Sequence, residues 1–216
     1  MKPLSECRLY AFVDTAYLNG RMPAEIAKQL CDGGADLIQL RAKPFSIEET
    51  RAIAEKILPV TLDAGVGLVI NDHLNIAQEI GADFCHLGQE DFFDSGHTHV
   101  SQLRISNSEC RIGISTHAPE QAVRAVAAGA DYVAIGPVYA TGTKPSAKPV
   151  TLSYVRWAAD HLTVPWFAIG GINLTNVDDV LTAGAQRICV VSAILNSANI
   201  AQSCREFRKR LDSDAK

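Results

Sequence analysis

Residues 129–135 read Gly129-Ala130-Asp131-Tyr132-Val133-Ala134-Ile135, and the first three residues recur as Gly34-Ala35-Asp36, Gly81-Ala82-Asp83 and, degraded, Gly184-Ala185-Gln186. Each copy follows a stretch of helical periodicity, for example Ile26 and Leu30 before the first copy and Ala122, Val123 and Val126 before the third. Glycine suits the left-handed position just past a helix end. After each copy comes a short run that is nearly continuous in apolar residues, at 37–40, 84–87, 132–135 and 188–191. Strands buried on both faces of a parallel sheet carry that pattern. The recurring unit is therefore helix, tight turn, buried strand.

Four more runs of the same kind lie between these, at 9–13, 68–70, 111–114 and 166–169. Pro23 and Pro119 fall near helix starts, where proline is tolerated. Eight strands alternating with helices in about 200 residues predict a (β/α)₈ TIM barrel, expected to fill residues 1–216 as one domain. A doubly wound open sheet is the competing architecture, but no GxGxxG follows the first strand. No Pro/Ser-rich linker divides the chain. The segment 92–109 is weakly patterned and is expected to form a loop and a weak helix.

Composition narrows the function. The chain has 216 residues, 47% hydrophobic and 20% charged, with a net charge of −4 and a pI near 5.8. That gives no basis for a nucleic-acid or anionic-membrane partner, so any cations that serve phosphates must be local. Six cysteines occur with no CxxC pair, which reads as buried thiols in a reducing compartment. Residues 1–8 carry no apolar signal core, and no apolar run reaches the ~20 residues that span a bilayer. A soluble, cytoplasmic protein is expected; a homo-oligomer is left open.

A barrel of this kind places its active site at the C-terminal ends of the strands. After the second strand come Gln39, Arg41 and Lys43, on one side if the strand continues that far. Arginine offers phosphate a bidentate fork and lysine a point charge; the bland reading is two surface cations. After the third strand come Asn71-Asp72-His73, and after the fourth Gly88-Gln89-Glu90-Asp91. Asp72 and Asp91, on neighbouring strands, could share one Mg²⁺, which takes one or two carboxylates plus substrate phosphates. A helix cap and a solvated loop would explain them equally well. Ser115-Thr116-His117 follows the fifth strand without a nucleophile elbow or third triad member, so small ligand-binding hydroxyls are the better reading. His117 then simply begins a helix. The long loop after the sixth strand supplies Thr141, Thr143 and Lys144 to an anion, without Walker spacing. Gly170-Gly171 after the seventh strand and Val191-Ser192 after the eighth fit the phosphate site that recurs there in barrels, although the glycines could instead only turn a tight corner.

Gln39-Leu40-Arg41-Ala42-Lys43, Asn71-Asp72, His86-Leu87-Gly88-Gln89-Glu90-Asp91, Gly113-Ile114-Ser115-Thr116-His117, Gly136-Pro137, Thr141-Gly142-Thr143-Lys144-Pro145, Ala168-Ile169-Gly170-Gly171-Ile172 and Val191-Ser192-Ala193-Ile194 resemble, in order, the thiamine phosphate synthase family over about residues 9–195. The resemblance implies a transferase that joins a pyrimidine diphosphate to a thiazole phosphate in thiamine biosynthesis. It implies that Gln39, Arg41, Lys43, Asn71 and Lys144 bind the pyrimidine diphosphate, with Ser115 beside it. Asp72 and Asp91 would hold Mg²⁺. Thr141, Thr143, Gly170, Gly171, Val191 and Ser192 would form the thiazole phosphate site. Arg41, Lys43, Ser115 and Lys144 would then carry the chemistry, with no general base required.

The chain departs from the family pattern in places. His73 stands where arginine is common, Asn75 where aspartate is common, and the first strand ends Phe12-Val13-Asp14-Thr15 where the family usually has Thr-Asp. Two rivals share the barrel. A thiazole tautomerase would use a histidine near His117 and need no diphosphate or metal. A phosphometabolite-binding barrel would turn nothing over.

Overall fold

The computed structural model describes residues 1–103, 109–142 and 148–213. All eight apolar runs form strands: β1 (Leu9–Asp14), β2 (Leu37–Arg41), β3 (Gly67–Asn71), β4 (Phe84–Gly88), β5 (Arg111–Thr116), β6 (Tyr132–Ile135), β7 (Trp166–Ile169) and β8 (Ile188–Cys189). Each pairs in parallel with the next, and β8 closes on β1, giving the expected closed barrel. The helices are α1 (Pro23–Asp32), α2 (Ile47–Asp63), α3 (Leu74–Ile80), α4 (Gln89–Asp94), α5 (Pro119–Ala127), α6 (Thr151–His161), α7 (Val177–Thr182), α8 (Ser192–Leu195) and α9 (Ile200–Ser213). Pro23 and Pro119 each occupy the first turn of their helix. A capping box, Ser46 with Glu49, starts α2.

Two boundaries differ from the sequence reading. The run 188–191 is strand only to Cys189, because Val191 already caps the short helix α8. In the weakly patterned segment, α4 begins earlier, at Gln89, and a 3₁₀ turn covers Val100–Leu103; residues 104–108 lie outside the described chain.

The Gly-Ala-Asp repeat does two jobs. Its glycines all take positive φ, as the turn after a helix requires. Its aspartates tie off the strand before. Asp36 accepts from the backbone N–H groups of Arg8 and Leu9, Asp83 from Leu68 and Asp131 from Ile112. Each carboxylate thus pairs an N–H at the first or second residue of a strand, at the barrel floor. Asp36 is itself held by Lys2 and Arg208.

Inside the barrel, Tyr132 of β6 reaches across Gly113 of β5, where an added Cβ would lie 2.0 Å from the tyrosine ring. Gly113→Ala is therefore expected to destabilise the protein by about 1–3 kcal/mol through overpacking, read as a lower urea midpoint with an unchanged m-value. A midpoint equal to wild type would show that the ring has room to move. Burial pushes the thiols up, Cys7 and Cys31 to about 11 and Cys204 to about 12, with Cys85 and Cys189 also raised. All six cysteines are free.

Candidate active site

The C-terminal ends of the strands surround one cavity. Among the described residues every site residue expected from the sequence lines it: Gln39, Arg41, Lys43, Asn71, Asp72, Asp91, Ser115, Thr141, Gly170, Gly171, Val191 and Ser192. Thr143 and Lys144 lie outside the described residues. The convergence follows from period two. Residues 39 and 41 of β2, 71 of β3 and 115 of β5 all fall on the lumen side of strands that end at the same rim. Lys43 is two residues beyond the end of β2, so it reaches the cavity from the loop.

The cations are already organised by carboxylates. Arg41 Nη1 lies 2.9 Å from Oδ2 of Asp14, a residue only 1% exposed. Asp14 Oδ1 accepts from the N–H of Ala16 at 3.0 Å, so its carboxylate is held at both oxygens. The guanidinium is thereby fixed at one corner while the side chain lines the cavity. Lys43 Nζ lies 3.2 Å from Asp72 Oδ2. Both side chains of this pair are partly exposed, so it contributes little to stability.

The two carboxylates expected to hold a metal meet the same space. Asp72 sits at φ 65° in the turn after β3, and its N–H bonds to His86 O. His73, not Asp72, is the residue that caps α3, so the helix-cap explanation for Asp72 does not hold. Asp91 lies in the first turn of α4, where a negative charge is favourable anyway. Its carboxylate folds back over Gly88, and a Cβ on Gly88 would come within 2.5 Å of Asp91 Oδ2. The bare glycine thus leaves the carboxylate room at the mouth. No group of three or more His, Cys, Asp or Glu placed to hold a metal ion exists among the described residues. A set of two carboxylates fits Mg²⁺, which fills its other positions with water and phosphate oxygens.

Beside β4, the last two residues of β5 and the one that follows separate by role. Ser115 lines the cavity. The hydroxyl of Thr116 is buried and spent on Ala134 O and the Tyr154 hydroxyl, so this residue is structural rather than ligand-binding. His117 bonds through Nδ1 to Gly136 O, and its N–H goes to Gln121 Oε1. Ser115 and His117 form no nucleophile–base couple. Burial also keeps Cys189, at the cavity floor, as a neutral thiol.

The glycine pair has a reason beyond anion approach. Gly171 takes φ +66°, and a Cβ there would stand 2.6 Å from Ala140 O; on Gly170 it would stand 2.4 Å from Pro137 Cα. The loop after β6 therefore packs directly on the turn after β7. Asn176 Nδ2 donates to Gly171 O at 3.0 Å, and Asn176 Oδ1 accepts from Asn173 N. These two asparagines, absent from the sequence reading, brace the turn. Tyr10, Phe12 and His86 also line the cavity and were missed. For Tyr10 and Phe12 the available signal was alternation along the first strand, and for His86 its place at the head of a quoted family motif.

A closed eight-stranded α/β barrel with cations, paired carboxylates and a braced glycine turn around one mouth places the chain in the class of (β/α)₈ barrels. The chain matches the family model of thiamine monophosphate synthase over residues 9–194, and it belongs to that family. It is 45% identical over 180 residues to a thiamine-phosphate synthase of Thermus thermophilus, covering 83% of this chain and 84% of that one. It is 41% identical over 204 residues to the thiamine-phosphate synthase of Methanospirillum hungatei, covering 94% and 96%. Among solved structures, thiamine phosphate pyrophosphorylase from Pyrococcus furiosus superposes with a TM-score of 0.86 at 26% identity, covering 99% of both chains.

Proposed function

We propose that the protein is a thiamine phosphate synthase, condensing 4-amino-2-methyl-5-pyrimidinylmethyl diphosphate with a thiazole phosphate to give thiamine phosphate and diphosphate. The single observation that carries this reading is the convergence of Arg41, Lys43, Asp72, Asp91, Gly171 and Ser192 on one cavity in a member of this family.

The bond changes are simple. The C–O bond between the pyrimidine methylene and the diphosphate breaks, and its electron pair leaves with the diphosphate. The resulting carbocation is stabilised by the pyrimidine ring. The lone pair of the thiazole nitrogen then forms the new C–N bond. No proton moves, so no base is needed, and the missing Ser–His couple and the neutral Cys189 thiol agree with that. Arg41 and Lys43, joined by Lys144, stabilise the charge growing on the leaving group. Ser115 lies beside the diphosphate. Gln39 and Asn71 bind the pyrimidine diphosphate. Asp72 and Asp91 would hold Mg²⁺, which when bound would neutralise diphosphate charge. Thr141 and Thr143, with the backbone of Gly170, Gly171, Val191 and Ser192, receive the thiazole phosphate; Ser192, where α8 begins, lines the cavity.

The test is to incubate the protein with both substrates and Mg²⁺ and to measure thiamine phosphate and diphosphate together. Equal amounts of both products, dependent on Mg²⁺, are expected. Binding of the thiazole phosphate without diphosphate release would overturn the reading.

A further inference from the structure

Four polar side chains from four different strands form a continuous hydrogen-bonded chain through the barrel lumen. Gln39 Nε2 lies 2.6 Å from the Tyr10 hydroxyl, which lies 3.1 Å from the Tyr132 hydroxyl, which lies 3.1 Å from His86 Nδ1. Gln39 is 2%, Tyr10 1% and Tyr132 0% exposed. Aromatic packing holds the tyrosines rigidly: Tyr10 stacks on Phe12, and both tyrosines meet Phe167 edge-on. Burial raises both phenols well above 10, so each keeps its proton.

A phenol has one proton to donate, and that makes the chain directional. The amide Nε2 of Gln39 only donates, so the Tyr10 oxygen accepts from it. With Tyr10 accepting from Gln39, a consistent arrangement sends the Tyr10 proton to Tyr132 and the Tyr132 proton to His86 Nδ1, in the histidine tautomer that leaves Nδ1 bare. The reverse polarity would need the Gln39 amide turned over, with Tyr10 donating to Oε1. The contact through Nε2 fits the first arrangement. Gln39 Oε1 is left as an acceptor on a residue that lines the cavity.

We propose that the Tyr10–Tyr132 relay sets the polarity of this pocket by fixing the Gln39 amide, so that the site selects a heterocycle presenting an exocyclic amine and rejects one presenting a carbonyl at the same position. Tyr10 and Tyr132 are positioning residues, and Tyr132 is not among the residues that line the cavity. The proposal rests on the function proposed above, whose pyrimidine carries such an amine. Two facing acceptors are unfavourable, and a site built to hydrogen-bond one group discriminates strongly against its replacement.

The experiment compares kcat/KM for the 4-amino pyrimidine diphosphate and its 4-oxo analogue in wild type, Tyr10→Phe, Tyr132→Phe and the double variant. Wild type is expected to prefer the amine by about a hundredfold or more. Each single variant frees the amide to turn, lowering that preference about tenfold, mainly through KM for the amine, with the thiazole KM unchanged. The double variant should be no worse than Tyr10→Phe, because both substitutions break one relay. A Tyr132→Phe enzyme that turns over with wild-type preference overturns the relay and leaves the synthase reading intact. Equal losses with both analogues, or a raised thiazole KM, would mark a merely structural role and overturn it too. A wild-type protein with no turnover of either diphosphate overturns both proposals.

Discussion

Arg41→Ala is expected to lower kcat by about 10²–10³, the usual cost of removing one donor from developing charge, with the barrel still folded by circular dichroism. The leaving diphosphate gains negative charge as the C–O bond breaks. A contact that strengthens at that moment appears in kcat, whereas one that is equally strong in the ground state appears in KM. Arg41→Lys keeps the charge but loses the fork, so it should fall between wild type and alanine. The structure adds a second variant. Asp14 grips Nη1 of Arg41 at 2.9 Å from a position 1% exposed, so Asp14→Asn should reproduce part of the kcat loss without touching substrate. It should also cost stability, since breaking a buried pair costs about 3–5 kcal/mol; unfolding curves separate the two effects. A folded Arg41→Ala enzyme with near-normal kcat and only a raised thiazole KM would move Arg41 to the other substrate's site.

Asp91→Ala is expected to abolish most Mg²⁺-dependent turnover, by about 10² or more if one of only two carboxylate ligands is lost. The fold should survive, because Asp91 is exposed at the first turn of α4. The decisive measurement is a Mg²⁺ titration of activity: the variant should need much higher metal and reach a lower plateau. Activity saturating at wild-type Mg²⁺ with a wild-type plateau would remove Asp91 from the metal site. Asp72→Ala is a weaker test, since it also releases Lys43 from its 3.2 Å pairing and so changes two charges at once.

Most of the architecture was legible from local pattern. The repeat at Gly34, Gly81, Gly129 and Gly184 marked helix ends, and apolar runs marked strands, because a barrel strand is buried on both faces and tolerates few polar residues. Once eight strands were counted, the active end of the barrel followed. Alternation put Gln39, Arg41 and Lys43 on one side of the second strand, and Asn71 and Ser115 were placed at the mouth by following the third and fifth strands. Asp72 and Asp91 were placed near the mouth by lying just beyond strand ends, but the choice of their roles, like that of Lys43, came only from the family resemblance. These placements rest on short-range properties, carried by a few neighbouring residues each.

What sequence pattern left open lies across the barrel. Asp14 meets Arg41 from 27 residues away, and Tyr10 meets Tyr132 from 122. Nothing local in Leu9–Asp14 distinguishes a lumen tyrosine from an ordinary core aromatic. The reason for Gly113 is the ring of Tyr132, and a reason for Gly171 is the carbonyl of Ala140. Thr116 looked as available to a ligand as Ser115, yet one strand position turns it away from the lumen to Tyr154 of α6. Closing eight strands into a ring sets such pairs, because only closure brings the lumen faces of β1, β2, β4 and β6 within hydrogen-bonding distance of one another.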